Sequence, residues 1–131
     1  RQFFHHATDS LAQVFARHLR HAEATRHAAK FWGLEILCKN PAEYSPSLTA
    51  LMMPAGHDAD ALRTIILDRY DMSLGMGLGK LAGKIFRIGH LGYFNDLMLA
   101  GTLSGVEMGL ICAKVPVEPV GVSAALKFLA S

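Results

Sequence analysis

Apolar residues recur at helical spacing from Ser10 to Trp32, at Leu11, Val14, Phe15, Leu19, Ala22, Ala29 and Trp32, while Gln13, Arg20, Glu23, His27 and Lys30 gather on the opposite side. The pattern predicts one long amphipathic helix, stopped at Gly33. Two short apolar runs follow, Leu34 to Cys38 and Ser47 to Met53, closed by Lys39-Asn40-Pro41 and Pro54-Ala55-Gly56, and each predicts a strand. In the second run both alternate sets are apolar, Leu48, Ala50 and Met52 on one face and Thr49, Leu51 and Met53 on the other. A strand apolar on both sides needs cover on both, and a small chain cannot easily supply it alone. The Thr49, Leu51, Met53 face is expected to be the one a second copy covers, giving a dimer or higher oligomer.

Further along, Leu62, Ile65, Ile66 and Tyr70 make the apolar stripe of a helix over Ala59 to Tyr70, with Asp58 as its N-cap and Asp60 in its positive first turn. Capping explains both carboxylates without a catalytic pair. Met72 to Gly83 is a glycine loop carrying Gly75, Gly77, Gly79 and Gly83. Its Gly-Leu-Gly-Lys resembles a phosphate loop only in part: Lys80 is followed by Leu81 rather than Ser or Thr, and what comes next reads as a strand. The glycines are expected to permit tight or left-handed backbone beside a ligand or a second chain segment.

Lys84 to Gly89 predicts another strand, turning through His90, Leu91 and Gly92 into a very apolar helix from Phe94 to Ala113. That helix is short of the ~20 apolar residues of a membrane span. It also contains Glu107, and its Gly101, Gly105 and Gly109 suit close approach of a helix or sheet. After Pro116 and Pro119, Val122 to Ala130 predicts a terminal helix. The order implies a two-layer α/β sandwich: a small, mostly antiparallel sheet with helices packed on one face.

At 131 residues the chain makes one domain, 1–131. Its hydrophobic fraction of 51% and mean hydropathy of +0.25 are high for that size and suggest apolar surface meant for a partner. A formal charge of +2, with no basic run interleaved with aromatics, argues against nucleic acid. Cys38 and Cys112 fit no metal spacing or disulfide framework and are expected to be reduced thiols of a cytoplasmic protein. The start at Arg1 suggests a piece of something longer. His5, His6, His18, His21 and His27 invite a metal hypothesis, but His18 and His27 fall on nearly opposite sides of the helix and no carboxylate or cysteine stands beside them at ligand spacing. A solvated helix face is the expectation for these histidines.

The residue least explained by packing is Arg87, a guanidinium on a strand. Alternation puts Phe86 and Ile88 on one face and Ile85 and Arg87 on the other, so if the first pair meets the helices, Arg87 points away from the core. Two readings follow: an ion pair to a nearby Asp or Glu, or a bidentate grip on a small carboxylic acid.

The runs EYSPSLTALMMPAGHDADALR, DMSLGMGLGKLAGK and FRIGHLGYFNDLMLAGTLSGVEMGL resemble the C-terminal small domain of class V, fold-type I, pyridoxal-phosphate aminotransferases, most closely the serine–glyoxylate and alanine–glyoxylate group. The likeness runs from about Leu11 to Leu129 and leaves residues 1–10 poorly matched. It implies that Arg87 clamps the substrate's α-carboxylate and that the loop at Gly75, Gly77 and Gly79 lies near the active-site mouth. It also implies a pyridoxal phosphate held by a lysine of a large domain that is absent here. This chain then contributes no catalytic residue, and neither Lys80 nor Lys84 matches a cofactor-lysine motif. Tyr93 departs from the acidic residue expected after His-Leu-Gly. The expected function is the carboxylate-binding part of a serine/alanine–glyoxylate aminotransferase, inactive alone. The alternative is a stand-alone homo-oligomeric binding domain derived from that family.

Overall fold

The computed structural model describes residues 10–40, 48–89 and 95–131. His5 and His6, the strand start at Ser47, the turn at His90 to Gly92, Tyr93 and the helix start at Phe94 lie outside the described residues. Helix α1 spans Leu11–Trp32, opened by a capping box in which Ser10 Oγ accepts from Gln13 N and Gln13 Oε1 accepts from Ser10 N. Gly33 closes it in the left-handed conformation, φ 82°. Strands β1 (Glu35–Ile36) and β2 (Leu48–Met52) follow, then α2 (Ala59–Tyr70), capped by Asp58, whose carboxylate accepts from Asp60 N as expected. Next come β3 (Gly75–Met76), a single 3-10 turn at Gly79–Leu81, and β4 (Ile85–Gly89). Helix α3 (Asp96–Cys112), capped by Asn95, and α4 (Gly121–Ala130) complete the chain.

The four strands form one antiparallel sheet in the order β1-β2-β4-β3, with Leu51 opposite Phe86, Thr49 opposite Ile88 and Ala50 opposite Arg87. Leu51, Phe86 and Ile88, all fully buried, meet Ala28 and Trp32 of α1, Leu62 and Ile66 of α2, Leu103, Val106 and Leu110 of α3, and Ala125 of α4 in one core. The two-layer α/β sandwich is therefore the architecture observed, with the helices on the Phe86/Ile88 face.

Two expectations about faces are corrected. The helices cover Thr49 and Leu51, so the open face of β2 is Leu48, Ala50 and Met52 rather than Thr49, Leu51 and Met53. Pairing register decides this: opposite residues share a face, so Leu51 follows Phe86 inward. In α1 the buried set is His21, Ala22, Ala24, Thr25, Ala28, Ala29 and Trp32, while Leu11, Phe15 and Leu19 of the predicted stripe stay 87%, 55% and 40% exposed. The helix turns its small residues to the core because α4 lies close along it. Gly121 of α4 sits against the Trp32 indole, where no Cβ would fit.

Polar ties replace solvent at the same junctions. Trp32 Nε1–H donates to Glu107 Oε1 at 2.8 Å, and the same oxygen accepts from Val122 N at 3.1 Å, joining α1, α3 and α4. Gly109 of α3 faces Ile66 and Leu62 of α2 with no room for a side chain. The glycine stripe of α3 thus serves helix approach at Gly109, as its spacing suggested. Among the described residues no helix is long and apolar enough to cross a membrane.

Candidate functional site

Arg87 is the third residue of β4, flanked by two side chains that the core holds in place, Phe86 and Ile88. Because those two are buried under the helices, alternation turns Arg87 to the open face of the sheet. Ile85, on the same face, is 3% exposed because the glycine loop folds over it: a Cβ at Gly77 would stand 2.8 Å from Ile85 Cγ1. Arg87 therefore lies at the border between covered and open sheet.

Its neighbours in the sheet are small. Ala50 stands opposite on β2 and Gly75 opposite on β3. The side chain leans over Gly75, where a Cβ would come 3.1 Å from both Arg87 Cβ and Nε. Nε is buried, and it has no hydrogen-bond partner among the described residues. Nor does any described acid form a salt bridge with Arg87. Of the two readings its position left open, an internal ion pair finds no support among the described residues. A guanidinium left unpaired beside a partly covered sheet is chemically ready for an anion.

The glycine loop divides by role. Gly75 touches the arginine; Gly77 is buried beneath the Leu81 carbonyl; Gly79, at φ 55°, begins the exposed 3-10 turn. The sequence pattern missed β3, since Gly75 and Met76 carry no alternation. No local signal marks it, and what holds its start is a side chain from α2. Arg63 Nε donates to the Leu74 carbonyl at 2.9 Å while Nη1 meets Asp60 at 3.1 Å, so α2 fixes the residue preceding Gly75.

Elsewhere some titratable side chains make structural contacts. His21 is wholly buried and meets Asp96 Oδ1 at 2.9 Å, against the expectation of a solvated face, while His27 is half-buried and stacks on Phe128. Among the described residues no three His, Cys, Asp or Glu side chains converge to hold a metal. Cys38 and Cys112 are unbridged. All six lysines, Lys30, Lys39, Lys80, Lys84, Lys114 and Lys127, are exposed.

With this geometry in place, likeness to other proteins acquires meaning. No family model matches the chain. A serine–glyoxylate aminotransferase of Methylorubrum extorquens is 43% identical over 122 residues, covering 92% of this chain and 30% of that protein. An L-aspartate–glyoxylate aminotransferase of Paracoccus denitrificans is 42% identical over 110 residues, covering 84% of this chain and 28% of that one. Among solved structures, a ureidoglycine–glyoxylate aminotransferase of Bacillus subtilis superimposes with a TM-score of 0.86 at 28% identity, over 93% of this chain and 32% of that chain. The chain thus spans under a third of the length of the relatives it matches.

Proposed function

Since the chain belongs to the class V aminotransferases and corresponds to their small domain, we propose that it supplies the carboxylate-binding part of such an enzyme, with Arg87 clamping a small amino or keto acid. The observation that carries this reading is a guanidinium on the open face of the sheet that no described acid pairs and whose Nε has no partner among the described residues. Its planar fork matches a carboxylate at two points. Ala50 and Gly75 on either side leave the approach free of competing side chains. The names of the relatives favour glyoxylate as one substrate and serine, alanine or aspartate as the amino donor.

Pyridoxal phosphate, implied by the family, supplies an electron sink for amino transfer where it is bound. The residues present do not fit it by themselves. A lysine that forms a Schiff base works from a desolvated site that lowers its pKa, and every lysine here is exposed to water. The chain's own share of the reaction is therefore to bind and orient the substrate's acid group, while the remaining machinery comes from a companion large domain.

The test is a graft. Replacing the matching segment of the Methylorubrum extorquens enzyme with this chain is expected to give a transaminase, and Arg87→Ala in that graft is expected to cost about 2–4 kcal/mol, roughly 30- to 900-fold in kcat/KM. Equal rates for the two grafts would remove Arg87 from the site.

A second reading, a self-associating binding domain derived from the same family, draws on exposed apolar side chains: Leu48 at the start of β2 is 38% exposed and Leu97 on α3 83%. It predicts a dimer of the chain by sedimentation; a clean monomer at high concentration removes it.

A further inference from the structure

Gly75 is paired with Arg87 across the edge of the sheet, yet it has no side chain with which to touch a ligand. Its contribution lies in what is missing. An added Cβ, fixed to the backbone and unable to yield, would stand 3.1 Å from Arg87 Cβ, 3.1 Å from Nε and 3.6 Å from Cζ. Arg87 would have to give by a few tenths of an ångström, at its Cβ as well as at Nε. Building on the carboxylate reading above, we infer that Gly75 is a positioning residue for Arg87: its empty face lets the guanidinium lie along the sheet and offer an acid only its two terminal nitrogens.

A guanidinium has two bidentate edges, one using Nε with a terminal nitrogen and one using Nη1 with Nη2. In this posture Nε is buried, which closes the first edge to any ligand. The second edge is the one left to solvent on a side chain of intermediate exposure. Leaving Nε–H buried without a partner among the described residues is unfavourable, and such groups call for a reason beyond packing. Presenting Nη1 and Nη2 head-on supplies one. The backbone that holds the glycine there is itself held, because Arg63 bonds the Leu74 carbonyl immediately before it. The ligand selected is a small carboxylate arriving in line with the arginine side chain, such as glyoxylate.

The experiment is an NMR titration of the whole chain carrying 15N-arginine, with glyoxylate as the probe and sodium chloride as the ionic-strength control. The Arg87 signals are identified by their loss in Arg87→Lys. In the wild type, glyoxylate is expected to move the Arg87 Nη signals while Nε–H barely responds. In Gly75→Ala, the free chain's Arg87 Nε–H is expected to shift towards that of solvent-exposed arginines, with glyoxylate binding weakened roughly three- to tenfold. In the Arg87→Lys background, Gly75→Ala is expected to change affinity no further, which separates positioning from general damage. Unchanged Nε–H and affinity in Gly75→Ala overturn the inference and leave the carboxylate reading standing. Should Gly75→Ala fail to fold, the wild-type pattern decides: a glyoxylate response centred on Nε–H overturns it. No glyoxylate response at Arg87 at all removes the carboxylate reading and this inference with it.

Discussion

Asp96 serves two donors through one oxygen, accepting from Arg20 Nη1 at 2.6 Å and from the buried His21 Nε2 at 2.9 Å, while Arg20 Nη2 reaches the Leu129 carbonyl. The cluster joins α1, the first residue of α3 and the end of α4. Partial burial pushes the Asp96 carboxyl up, but the bonds from Arg20 and His21 outweigh it and hold its pKa below the ordinary 3.8. A depressed carboxylate pKa contributes stability that is complete above the unfolded value and fades as pH falls through the lower folded value. Thermal unfolding of the wild type is therefore expected to lose ground on acidification below about pH 4, and Asp96→Asn to start less stable at neutral pH and lose less on acidification. Parallel wild-type and Asp96→Asn curves would show that the pair carries no linkage. The capping role of Asp58 was legible at this scale, because it serves a donor within its own turn. His21 was not, because its partner lies 75 residues away.

Helices α2 and α3 touch where a side chain is missing. At Gly109 a Cβ would run into Ile66, whereas at Gly101, eight residues earlier on the same helix, nothing lies within 4 Å. Gly109→Ala is thus expected to destabilise the fold by ~1–3 kcal/mol through overpacking. Gly101→Ala, exposed and unobstructed, is expected to stabilise it by ~0.5–1 kcal/mol through helix propensity. Urea unfolding midpoints of the two variants moving in opposite directions would bear this out, and a matched shift would refute it. Element identity came readily from periodicity, since the four helices of the described residues stand within a residue or two of their expected bounds. Strand β3 did not: two residues have no period, and Gly75–Met76 is a strand only because β4 offers it an edge.

Taken whole, the molecule has a sheet packed by helices on one side and a short, partly apolar open side that bears Arg87, Ala50, Leu48 and Met52. Adding pyridoxal phosphate to the purified chain is expected to produce no aldimine absorbance and no amino transfer, because each lysine faces water. Turnover by the chain alone would contradict that. An uncovered surface of this kind was expected from composition, but on the wrong set of β2 residues. Sequence by itself determined the helices, the paired strands, the likeness to aminotransferase small domains and the singularity of Arg87. Those depend on spacing along the chain and on the chemistry of single side chains. Only the tertiary structure decided which face of β2 is open, which half of the α1 stripe is buried, and that Gly75 lies under the guanidinium. Each of these is set by register between segments far apart in sequence, which no local pattern encodes.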